Sequence, residues 1–432
     1  MDAKLRGEEI KKITENESNA YITGVRLRYE GEIQTFNAYK IPLKYLVYNK
    51  YNGRIGSAVK SFEVQNHSLN PEKNEDCKII EKFLWESKED RNKKTENSLI
   101  INGQQQWGIV TADGVIIDGN RRASLLNKIY DKRESIKHNV DHCEYFIAIV
   151  LPNNATKKEI MKLETTYQMG QDEKLDYNPI EKYLKCRDLK YEGFTEVEIA
   201  SMMTEEKSDV ENMLYILNLM DEYLDKYGYS GIYTMLDKKE GQLKDLSSYI
   251  KKYINRKTDT NWAYEDTDIS DLKEICFDYI RAQYEGKEFR LIGNTNKESI
   301  FSDEKVWRGF KEEHFNKIDV ISDEEEPVEN IRKDNPDVDL SKLLKSRDLD
   351  WQSKVKEKLK NNIDDSYEEI INIKRANEPQ KLILKALSTL NKINTNIESF
   401  YNDEEVLNNL DKISDLITNY KSQINSKRLN HD

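Results

Sequence analysis

The chain has 432 residues, 37% apolar and 34% charged, with a formal net charge of −12 at pH 7. No run approaches the roughly 20 apolar residues of a membrane-spanning helix, and the polar start from Met1 to Glu9 lacks the apolar core of a secretory signal. Four scattered cysteines (Cys77, Cys143, Cys186, Cys276) form no close pair, which predicts free thiols in a reducing, cytoplasmic compartment.

In chain order, Ile41-Pro42-Leu43 leads into an aromatic stretch that closes on Asn49-Lys50-Tyr51-Asn52-Gly53-Arg54. Asn102-Gly103 precedes a hairpin pattern over 108–116, with Asp113-Gly114 as the turn signal. The apolar run Val115-Ile116-Ile117 then meets Asp118-Gly119-Asn120-Arg121-Arg122 and an amphipathic stretch to Ile129. This reads as strand, glycine turn and helix, with two guanidinium groups on the first helical turn. Unpaired N–H groups and the positive end of the helix dipole favour an anion there. Arginine forks match phosphate oxygens. An isolated Gly-x-Arg-Arg is more often a solvated pair, so the reading rests on its neighbours.

Phe146 to Leu151 reads as one more buried strand, and 171–181 opens a helical region. Glu181–Gly193 and 194–203 read as successive helices, followed by one from Ser208 to Leu219, with Ser208 as N-cap and Val210, Met213, Leu214 and Leu217 facing the core. Between Thr195 and Glu211 there are six acids against one base, Lys207, a surface that repels DNA phosphates.

From 226 to 320, aromatic and aliphatic residues recur at helical spacing, more in keeping with a core than with base stacking. Residues 321–345 are acidic with two prolines and read as a solvated linker. In 346–432, Val406, Leu410, Ile413, Ile417, Tyr420 and Ile424 form a heptad seam. Ile383, Leu387, Leu390, Ile397 and Phe400 form a second stripe, with the break at Tyr401-Asn402-Asp403. An antiparallel helical hairpin is expected, packed internally or against a second copy.

The colinear segments resemble the ParB family. Asn49 to Arg54 is similar to its first box, N-P-x-Q-P-R, and Asn102-Gly103 to its N-G. Asp118 to Arg122 is similar to its G-E-R-R box, with Asn120 in place of the glutamate. Gly170 to Glu181 resembles the third box, E-N-x-x-R-x-D-L-N-P-x-E: Asp176, Asn178, Pro179 and Glu181 match, Lys174 stands for the arginine, Gln171 for the asparagine and Gly170 for the glutamate. The likeness spans roughly residues 38–225.

The resemblance implies an α+β fold: a small mixed ParB/sulfiredoxin-like sheet domain over 38–165, after an extension at 1–37. A helix-turn-helix-like domain over 166–225 would follow, and the remainder would be predominantly helical. It also implies binding of CTP or another nucleoside triphosphate with Mg²⁺. Asn49, Arg54, Gly103, Gly119, Asn120, Arg121, Arg122, Gln171 and Lys174 would contact the nucleotide, and Asp118 and Gln171 the metal. Gly170 cannot serve as base or metal ligand, so hydrolysis would be slow, with Asp118, Asp172 or Glu173 as the catalytic carboxylate.

Three functions compete. One is a nucleotide-gated switch of a bacterial or mobile-element DNA-maintenance system; another is a phage-defence or mobile-element nucleotide hydrolase or nuclease. The third is a protein-binding adaptor that has lost the nucleotide. Expected partners are a nucleotide, a second copy through the C-terminal helices and another protein, with DNA only outside the acidic helix 208–219.

Overall fold

A computed structural model describes all residues except 170–177, 259, 285–287, 296–297, 337 and 430–432. The chain divides into two units, 1–366 and 367–432.

The first unit begins with helix α1 (Ala3–Thr14) and a long β-hairpin, β1 (Ala20–Tyr29) and β2 (Glu32–Pro42). Four shorter strands complete a mixed six-stranded sheet: β3 (Val47–Tyr48), β4 (Gly108–Val110), β5 (Val115–Asp118) and β6 (Tyr145–Val150). The order is β1-β2-β6-β4-β5-β3; β6–β4 and β5–β3 run parallel, the other pairs antiparallel. Residues 1–37, expected as an N-terminal extension, therefore supply a helix, one whole strand and the first half of a second in the same sheet structure.

Both faces of the sheet are covered, which explains why β6 is apolar throughout. Phe146 and Ala148 face one core with helices α2 (Gly56–Gln65), α3 (Asn74–Glu86), α4 (Glu89–Asn102) and α5 (Asn120–Asp131). Ile147 and Ile149 face the other, closed by α6 (Lys157–Met169) through Ile160, Leu163 and Tyr167. The expected 108–116 hairpin forms: Thr111 N–H donates to the Val115 carbonyl at 2.9 Å and Gly114 N–H to the Thr111 carbonyl at 3.0 Å.

The rest of the first unit is helical. After α7 (Pro179–Tyr191), α8 (Glu196–Met203) is capped by Thr195 in a reciprocal box with Glu198. α9 (Lys207–Lys226) begins one residue before the expected start, with Glu206 rather than Ser208 as its cap. It runs seven residues past Leu219 because the apolar face continues: Met220, Tyr223 and Leu224 are buried along with Val210, Met213 and Leu217, while Leu214 is half-buried. α10 (Glu240–Ile254), α11 (Asp266–Arg281), α12 (Phe289–Gly293) and α13 (Glu304–Asp323) enclose an aromatic core in which Tyr253, Phe277, Tyr279, Phe301, Trp307 and Phe310 are buried.

The stretch expected as a solvated linker is packed instead. It holds the end of α13, α14 (Val328–Asp334) and the start of α15 (Leu340–Leu390), and Ile331 is buried. The reason lies far away in sequence. Arg281, fully buried, makes a bidentate pair with Glu325 (2.6 and 2.7 Å) and a third bond to Asp348 at 2.7 Å. Its guanidinium lies over the rings of Trp351 and Tyr227.

In the second unit, α15 ends at Leu390, and α16 (Glu398–Asn402) and α17 (Glu404–Leu429) follow. Asp403 accepts from Glu405 N–H at 2.9 Å, at the expected break, and a second break falls at 391–397. The apolar stripes are not buried against each other as a packed hairpin requires: Ile383, Leu387, Ile417, Tyr420 and Ile424 are 46–58% exposed. No helix among the described residues is long and apolar enough to cross a membrane.

Candidate functional site

β5 delivers the chain to the glycine turn at the centre of the site. Gly119 adopts φ +101°, and a Cβ there would sit 2.6 Å from the Phe146 ring, so both conformation and space demand glycine. α5 starts at the next residue with no side-chain cap. The positive end of its dipole favours an anion at this turn.

The residues of this turn divide by role. Asn120 is buried; its amide donates to the Ile116 carbonyl and accepts from Asn49 N–H, each at 2.8 Å. It joins the end of β3 to the start of α5 and so ties the fold together at the turn. Asn49 likewise shapes the 49–54 turn, accepting from Tyr51 N–H, while Asn52 accepts from Arg54 N–H, each at 3.0 Å. Arg122 donates to the Gln106 carbonyl at 2.8 Å and to the Trp107 carbonyl at 3.3 Å. Burial lowers its pKa, with Asp118 nearby opposing that fall and Arg54 adding to it. Arg122 thus holds the 106–107 loop as well as lining the site.

These elements border a cleft of about 560 Å³. Arg54, Gly103, Asp118, Gly119, Arg121 and Arg122, all expected from sequence, line it, as does Asn120; Asn49 does not. The structure adds residues that sequence reasoning missed. Arg91, Thr95 and Ser98 lie at i, i+4 and i+7 and form one stripe of α4; Trp107, Tyr167 and Gln168 line another wall. The spacing on α4 was visible in the sequence, but nothing local marked that face as the one turned to a cleft. Gln168 is buried and donates to the Ile117 carbonyl at 3.0 Å. The 103–107 loop is pinned to β6, since the Gln104 side chain accepts from Ile147 N–H at 2.8 Å and donates to its carbonyl at 2.7 Å.

Gly170, Gln171, Asp172, Glu173, Lys174 and Asp176 lie outside the described residues. Just beyond them, Asn178 caps α7 by accepting from Ile180 N–H at 3.0 Å, with Pro179 in the first turn. Glu181, one turn on, is buried and reaches α2: its carboxylate accepts from Ser57 N–H at 3.0 Å and from the Ser57 hydroxyl. Burial pushes the Glu181 carboxyl up to about 7, against the opposing effect of those bonds. A Lys60–Asp188 pair at 2.9 Å joins the same two helices. α6 and α7 are joined by Glu164 and Lys185, a buried pair at 2.8 Å.

Among the described residues there is no group of three or more His, Cys, Asp and Glu able to cage a metal ion. Asp118 is the one carboxylate lining the cleft among those residues. Such a site suits a Mg²⁺ that arrives with phosphates, because Mg²⁺ commonly takes one or two protein carboxylates and fills its remaining positions from phosphate and water. No protein-family model matches the chain, and no curated protein matches it.

Proposed function

We propose that the cleft binds a nucleoside triphosphate, CTP or another, and that the chain is a ParB-like nucleotide-gated switch in a bacterial or mobile-element DNA-maintenance system. One observation carries this reading. In a chain of net charge −12, four arginines (54, 91, 121 and 122) from three separate segments line one cleft beside an uncapped helix N-terminus, against a single carboxylate among the described residues. Cations concentrated in a cleft of an acidic protein select a compact polyanion. Arg54 and Arg121 would take phosphate oxygens, the first-turn N–H groups of α5 a further one, and Asp118 the Mg²⁺.

The test is a thermal-shift panel of nucleotides with and without Mg²⁺. A ligand at 100 times its dissociation constant stabilises by about 2.7 kcal/mol. Absence of a shift with every nucleotide would remove the reading.

Asp118 in the cleft favours a second reading on the same site, a slow hydrolase of a phage-defence or mobile-element system. Positioning and charge neutralisation carry most phosphoryl-transfer catalysis. Asp118→Asn is then expected to lower Mg²⁺-dependent turnover more than nucleotide affinity; unchanged turnover takes Asp118 out of the chemistry. The exposed stripes of the second unit fit self-association. DNA contact through the start of α9 is disfavoured by its acidic surroundings, in which even Lys207 is paired with Glu211.

A further inference from the structure

Resting on the nucleotide reading of the cleft, we infer that Trp107, backed by Tyr167, is a base-stacking wall, so that the site takes nucleotides in preference to bare polyphosphates. Trp107 is the last residue before β4, and β4 pairs with β5 beside the glycine turn, Ile109 opposite Asp118. The indole therefore flanks the place where the phosphates are held.

Its backbone is fixed from two sides. Arg122 holds the carbonyls of Gln106 and Trp107, and Gln104 anchors the same loop to Ile147. The ring is only half-buried and packs on Tyr167 of α6 with centroids 6.0 Å apart at 58°. The indole N–H has no hydrogen-bond partner among the described residues.

A rigidly carried, partly exposed aromatic ring at the margin of a cationic cleft offers little to an inorganic anion. To a ligand with a phosphate tail and a planar base it offers a stacking surface already in place, so little ordering cost is added on binding. Stacking accepts any base, because each has a π-face. This wall therefore separates nucleotides from polyphosphate without itself reading which base is present.

The experiment compares tripolyphosphate with CTP, ATP and GTP on the full chain, by affinity and by tryptophan fluorescence. Tripolyphosphate is expected to bind, and the nucleotides to bind about tenfold or more tighter, the margin one stacked base supplies. Trp107→Ala should erase that margin and leave tripolyphosphate affinity unchanged. Trp107→Phe should keep most of the margin while losing the fluorescence quench that nucleotides cause in the wild type. Nucleotide and tripolyphosphate both binding, with their ratio the same in wild type and Trp107→Ala, overturns the stacking wall and leaves the phosphate site standing. A quench that survives in Trp107→Phe also counts against it. If neither probe binds the wild type, the nucleotide reading and the wall fall together.

Discussion

At the scale of single residues, Arg122 of the glycine turn does two jobs. Arg122 donates to the Gln106 and Trp107 carbonyls and so holds the 106–107 loop, and like Arg121 it lines the cleft. Arg121→Ala is expected to abolish the nucleotide-induced thermal shift. Arg122→Ala is expected to reduce the shift and also to lower the unliganded melting temperature, because it loses the two bonds that hold the 106–107 loop, each worth about 0.5–1.5 kcal/mol. Thermal melts of the two variants with and without nucleotide check this; an unliganded melting temperature unchanged in Arg122→Ala would contradict the clamp. Asn120 makes a related point. From the motif alone it reads as a ligand contact, and the structure adds that it is buried, with its amide bonded both to Asn49 at the end of β3 and to Ile116 of β5. The identity of a side chain is local information; whether its polar atoms are already taken is set by residues such as Asn49, 71 positions away.

Between elements, Glu181 ties α7 to the N-terminus of α2, the helix that follows Arg54. Its carboxyl is held at about 7 against an ordinary 4.5. The folded state thus keeps a proton that the unfolded chain releases at lower pH. Below about 4.5 both states are protonated and nothing is lost; between there and about 7 the fold is progressively penalised, by on the order of 3 kcal/mol in all. Glu181→Gln cannot titrate, so its stability should fall less than the wild type's from pH 5 to pH 8. Denaturant titrations at the two pH values measure the difference, and parallel behaviour of the two proteins would exclude Glu181 as its source. How far such elements were readable depends on the range of the information. The strand, turn and helix over 115–131, the Asp113-Gly114 hairpin and the Thr195 cap follow from neighbours in sequence. The β1–β2 hairpin had a signal too, in the alternation Val25-Arg26-Leu27-Arg28-Tyr29, with Glu30-Gly31 as its turn. The wall formed by α4 had none, since only the packing of 89–102 beside α5 turns Arg91, Thr95 and Ser98 toward the cleft.

For the molecule as a whole, the second unit raises the question of what covers its apolar stripes. Exposed apolar surface at heptad spacing favours association with another helix. The full chain is expected to sediment as a dimer, and Ile417→Lys, which places a charge in the seam, as a monomer with an unchanged nucleotide response. A wild-type monomer at all concentrations would rule this out. The acidic segment at 321–345 shows the opposite outcome: polar by composition, it is docked because Glu325 serves a guanidinium 44 residues earlier. That triad has a bearing on how the sequence can drift. Losing Arg281 alone leaves buried Asp348 without its ion-pair partner and Glu325 with only Arg347 at 3.4 Å, and losing either acid leaves the guanidinium short of a partner, each a change of about 3–5 kcal/mol. Replacing all three together by apolar residues of similar volume is often close to neutral. Positions 281, 325 and 348 should therefore covary, and a homologue with a leucine or methionine at 281 should have lost the acids at the other two.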